Sequence, residues 1–95
     1  MLKIVRSVDQ DAVRLTLSGR IDQAEVAELA HAIGRERSDV RALTLDLEDV
    51  RLLDRDAVLF LIGCEQSGVR LANVPAYIRG WMKAEQTRAG TTFEG

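Results

Sequence analysis

Ninety-five residues, 46% hydrophobic and 29% charged, make one domain with room for a single modest core. A formal net charge of −2 supplies no basic excess to neutralise phosphates, which argues against nucleic acid or an anionic membrane surface as partner. The longest apolar run, residues 57–64, is broken at Gly63 and falls far short of a bilayer span, so no direct membrane insertion is expected. The opening MLKIVRSVDQ lacks the apolar stretch of a secretory signal, and the single Cys64 has no internal disulfide partner. Both features fit a cytoplasmic setting.

Leu2 and Ile4, then Val13, Leu15 and Leu17, alternate with polar residues, and Asp9-Gln10-Asp11 between them is a polar turn. Period two on both sides of a turn predicts a hairpin. Asp22 with Glu25 matches a capping box, and Val26, Leu29, Ala30 and Ile33 share one face of the first helix. Gly34 is its expected stop, near Arg35-Glu36-Arg37. Residues 42–47 predict a third strand with Leu43, Leu45 and Leu47 on one face, and a short acidic link follows. Asp54 is the expected N-cap of a second, heavily buried helix that ends at Gln66-Ser67-Gly68. Residues 69–74 predict a fourth strand, and Pro75 suits the first turn of a third helix carrying Tyr77, Ile78, Trp81 and Met82. From Thr87 the polar TRAGTTFEG reads as a disordered tail, which leaves one domain over residues 1–86 and a tail over 87–95. The order strand, strand, helix, strand, helix, strand, helix implies an α/β fold with a mixed four-stranded sheet and about three helices.

Asp46, Glu48, Asp49, Asp54 and Asp56 supply carboxylate oxygens, but their spacing matches no calcium loop. Asp46 and Glu48 alternate with leucines as solvent-side strand residues do. No metal, cofactor or catalytic residue is therefore expected, and the chain reads as a non-enzyme. His31 has no second histidine or cysteine to complete a zinc site, and it fits a partly exposed helix position. Cys64 reads as a small core residue. Ser18, Ser38 and Ser67 occupy turns. A nucleotide phosphate at the second helix start would meet Asp54 and Asp56, which already fill that position with negative charge.

The segments LTLSGRID before the first helix, LTLDLEDVRLLD before the second and GVRLANVP leading into the third come in an order and at spacings that resemble the STAS family. Its members include the bacterial anti-sigma-factor antagonists and the cytoplasmic domains of sulphate transporters. The resemblance covers roughly residues 2–86 and implies a STAS-like (SpoIIAA-like) fold. In the antagonists the second helix opens Asp-Ser-Ser-Gly or Asp-Ser-Thr-Gly, and the first hydroxyl is phosphorylated by a partner kinase. Matched position by position, the aspartate is Asp54, the phosphoacceptor falls on Arg55, the second hydroxyl on Asp56 and the glycine on Ala57. Arg55 has no nucleophile for a kinase, so phosphorylation at this loop is expected to be absent. Asp56 is offset from the acceptor position by about 100° around a helix, which makes it a poor substitute for phosphoserine.

The resemblance further implies a protein-interaction module in bacterial partner switching. Its docking residues would be Asp49, Arg51, Asp54, Arg55 and Asp56, and its partner an anti-sigma kinase-like protein. The alternative it implies is a cytoplasmic subunit that supports the ATPase of a lipid-trafficking ABC transporter. Family members usually continue into a further strand and helix, in place of which only the polar tail is expected here. Tyr77, Trp81 and Met82 are thus a secondary candidate surface, rimmed by Arg79 and Lys83, for a partner or a homodimer.

Overall fold

Period-two alternation closes into a hairpin of β1 (Leu2–Asp9) and β2 (Ala12–Ile21), antiparallel in the register Ile4↔Leu17 and Val8↔Val13. Gln10, at φ 58, takes the left-handed position that so tight a connection requires. The structure, a computed structural model, describes residues 2–37 and 42–94, with side chains over 2–36 and 42–88. Ser38 and Gly95 lie outside the described residues.

The remaining elements are α1 (Gln23–Arg37), β3 (Ala42–Leu53), α2 (Arg55–Gln66), β4 (Arg70–Ala72) and α3 (Ala76–Glu94). The sheet order is β1-β2-β3-β4, with β3 parallel to both β2 and β4. This is the mixed four-stranded arrangement that the element order implies. Val13, Leu15, Leu17, Leu45 and Leu47 point from one sheet face into the core, where Leu29, Val58, Leu61, Ile78 and Met82 meet them. Each such aliphatic side chain contributes about 1.5–3 kcal/mol of transfer free energy when fully buried. Their sheet neighbours Lys3, Val5 and Arg14 are exposed, so the helices cover one face and leave the other to solvent.

Five boundaries differ from the pattern in the sequence. β2 runs on through Ser18, which reads as a turn residue, to Ile21. β3 does not stop at Leu47 but runs to Leu53, so the expected acidic link is strand. Its pairing with β2 shifts between Thr16 and Ser18 and again between Gly19 and Arg20, each time admitting an extra β3 residue. Strict alternation is lost, and Val50 and Leu53, three apart, both reach the core. Gly34 does not end α1; it lies inside the last turn, where a glycine costs at most about 1 kcal/mol. β4 is shorter than residues 69–74. Finally, residues 87–94, read as a tail, continue α3, helped by an Arg88–Glu85 ion pair one turn apart at 3.7 Å.

The end of α2 follows the sequence closely. Gly68 adopts φ 103 and donates its N–H to Glu65 O, while Val69 donates to Cys64 O. These two bonds form a Schellman cap, with Val69 buried beneath it.

Candidate interaction site at the head of α2

Asp54 has extended backbone (φ −100, ψ −178), and its Oδ1 accepts the Ala57 N–H at 2.9 Å, which makes it the N-cap of α2. Its Oδ2 accepts the N–H of Gln23, the first residue of α1, at 3.1 Å. One carboxylate thus serves two helix starts. Asp22 caps α1 through Ala24 N–H and Glu25 N–H, at 3.1 and 3.4 Å, and Glu25 Oε1 returns the bond to Asp22 N–H at 3.2 Å. The capping box is formed as expected. A side-chain hydrogen bond with Glu25, then the backbone N–H groups, hold the Asp22 carboxyl below its ordinary value. The partial positive charge of both helix starts is answered from within the chain by Asp22, Asp54 and, in the first turn of α2, Asp56.

Arg55 opens α2 with its side chain 59% exposed, yet it is not free. Its Nε–H donates to both oxygens of Glu85, at 3.4 and 3.3 Å, and Glu85 also accepts Trp81 Nε1–H at 3.3 Å. The Arg55 hydrogen bond, working against burial and aided by Trp81 and Arg88, keeps the Glu85 carboxyl below its ordinary value. Only 7% of Glu85 is exposed, so this acid is sealed under its own partners.

Asp49, Arg51 and Asp56 are exposed. Asp49 and Arg51 stand on β3 itself and not on a loop. Leu52 beside them is 58% exposed, an apolar side chain in a charged rim. A shallow cleft of about 220 Å³ runs from Arg20, Ile21 and Asp22 to Leu52, Leu53 and Asp54. Tyr77 is half exposed, and its hydroxyl donates to Val50 O at 3.0 Å, which ties α3 to this part of β3. Trp81 is partly buried. Met82 is fully buried and is withdrawn from the candidate surface, because its position on α3 faces the sheet with Ile78.

Asp46 corrects another expectation. It lies on the helix-free sheet face but is only 7% exposed, because Arg14 Nη2 and Asn73 Nδ2 close over its Oδ2 at 2.7 and 3.1 Å. Asn73 reaches back from a left-handed backbone position at φ 53. Burial opposes ionisation of Asp46, but the Glu48 N–H, Arg14 and Asn73 outweigh it and hold the carboxyl below its ordinary value. Among the described residues no three His, Cys, Asp or Glu side chains are grouped as metal ligands.

Two participants escape sequence reading. Glu85 is thirty positions from Arg55, and only its i+4 spacing from Trp81 hints at a role. The shifted β3 register hides the exposure of Leu52. His31 is exposed beside the hairpin, and Cys64 is buried against α1.

No protein-family model matches the chain. No curated protein matches it either. Solved structures do. The chain is similar to the anti-sigma factor antagonist SpoIIAA in its unphosphorylated form, with TM-score 0.68 and 18% identity over 87% of this chain and 82% of that one. It is also similar to part of the crystal structure of Mglu, with TM-score 0.63 and 22% identity over 76% of this chain but 19% of the other. A DUF3478-family protein with a SpoIIAA-like fold from Shewanella loihica PV-4 matches at TM-score 0.52 and 10% identity, over 70% of this chain and 57% of that one. Element order, mixed sheet and these likenesses agree: the chain has the SpoIIAA-like fold.

Proposed function

We propose that the chain is a non-catalytic protein-interaction module of a bacterial cytoplasm, an antagonist-like component of partner-switching regulation that is not switched by serine phosphorylation. The observation that carries this reading is Arg55 at the first position of α2, bonded to Glu85, with no hydroxyl residue between Asp49 and Val58. The docking surface is the exposed set Asp49, Arg51, Leu52, Arg55 and Asp56 with Tyr77 at its border, held in place by Asp54. An exposed leucine within mixed charges suits a protein partner: the apolar contact supplies affinity, and the charges fix orientation. The partner is a kinase-like anti-sigma protein. Support comes from the SpoIIAA-like fold.

The test is affinity capture from native lysate by the intact chain and by Leu52→Glu and Arg51→Glu variants, with captured proteins identified by mass spectrometry. A kinase-like regulator retained by the wild type and lost by both variants supports the reading. An ABC-transporter ATPase captured instead transfers the module to transporter support. A phosphate adduct within residues 50–60 after incubation with that kinase and ATP overturns the unswitched state.

A further inference from the structure

We propose that the outer edge of β1 is a self-association surface, on which a second copy of this chain pairs its own β1 antiparallel and joins the two four-stranded sheets into one. This is independent of the reading of the α2 head, which lies elsewhere in the fold.

The sheet has two edges, β1 and β4. β4 is three residues long and is flanked by Gly68 and Asn73 in left-handed backbone positions, so it offers almost no ladder. β1 is eight residues long, contains no proline or glycine, and pairs with β2 without a register shift. The tight connection makes Asp9 and Ala12 the hydrogen-bonded closing pair, and the bonding alternates from there. Leu2, Ile4, Arg6 and Val8 therefore direct their backbone N–H and C=O groups outward. The strand also carries Val5 on the open face and Val8 on the helix face, 48% and 53% exposed.

An outward ladder between two copies needs a two-fold axis at Ile4, Val5 or Arg6. At Arg6 two guanidinium groups oppose each other. At Ile4 the pairing stops short of Ser7 and Val8. At Val5 the whole edge is used: Leu2 faces Val8 of the second copy, Ile4 faces Arg6, Lys3 faces Ser7, and Val5 meets its own counterpart in a close non-hydrogen-bonded pair. Both exposed valines then gain apolar neighbours, and no like charges stand opposite. Charged residues usually guard such an edge, but Arg6 is already bonded to Glu36 at 2.6 Å and Lys3 would face a hydroxyl.

The experiment measures the mass of the full chain by light scattering across micromolar to submillimolar concentration, with circular dichroism as a folding control. The expected mass rises with concentration toward twice the 10.5 kDa of one chain. Val5→Glu sets two carboxylates opposite and is expected to weaken association at least about tenfold. Val5→Cys under oxidation is expected to give a covalent dimer, because the non-hydrogen-bonded pair brings the Cα atoms to about 4.5 Å, within disulfide range. Ser18→Cys, one strand inward on the same face, is expected to stay monomeric. A monomer at every concentration overturns the proposal, as does a dimer that folded Val5→Glu leaves intact. Equal cross-linking by both cysteine variants overturns it too; if Val5→Glu does not fold, the cysteine pair decides.

Discussion

Arg55 on α2 and Glu85 on α3 are bonded across thirty residues of sequence, with Nε 3.3 and 3.4 Å from the two carboxylate oxygens. The head of α2 is thereby tied to α3 by a charge pair. Arg55 directs its Nε at an acid of its own domain while more than half of its side chain stays exposed.

That pairing predicts coupling. Arg55→Ala and Glu85→Ala are each expected to lower Tm by a few degrees, on the order of 4 °C, and the double variant by less than the sum. Additive losses in a thermal-melt cycle would show the pair to be ornamental. Arg55 is more than half exposed, so the smaller loss is expected from its side.

Acid sensitivity follows from three carboxyls, Asp22, Asp46 and Glu85, all held below their ordinary values in the folded chain. A depressed folded value means that the unfolded chain binds protons first, so the stability they contribute is present at neutral pH. It is lost as pH falls below about 4. Urea midpoints should be flat from neutrality down to about pH 5 and then fall. Asp46→Asn should flatten that fall at a lower overall stability: the titrating carboxylate is gone, and with one acceptor oxygen left either the Glu48 N–H bond or those of Arg14 and Asn73 are lost at every pH.

Removing the shared cap is expected to be more costly than an ordinary N-cap substitution. Asp54→Ala strips Ala57 N–H and Gln23 N–H together, so a loss at or above about 2 kcal/mol is expected, against about 1 kcal/mol for a single cap. Asp54→Asn keeps one acceptor oxygen and should fall between. Urea unfolding resolves these differences, and a loss of only a few tenths would refute the double role.

Leu47 and Leu52 separate stability from recognition. Leu47 is fully buried, and Leu47→Ala is expected to cost about 2–5 kcal/mol. Leu52 is 58% exposed, and Leu52→Ala should change stability by no more than about 0.5 kcal/mol. If Leu52→Ala also leaves partner capture intact, this leucine is not part of the docking surface.

Local chemistry was the legible part of the sequence. The Asp22–Glu25 box, the Asp54 cap, the Gly68 stop and the alternation of Val13, Leu15 and Leu17 each draw on neighbours within a few residues. What stayed hidden depends on where β3 lies against β2. Two admitted residues break the alternation beyond Asp46 and leave Leu52 exposed between Val50 and Leu53, while Asp46, ahead of both shifts, is covered by Arg14 from β2 and by Asn73 from beyond β4. No one-dimensional pattern marks a pairing shift between strands thirty residues apart. Glu85 was missed for the same reason: its partner Arg55 approaches only when α3 folds back over α2.

The double duty of Asp54 limits how this domain tolerates changes in length. An added residue after Leu53 would swing the carboxylate away from one helix start or the other, whereas one added at Gln10 would merely widen an exposed turn. Natural insertions and engineered fusions should therefore be accepted at the hairpin tip and purged on either side of position 54.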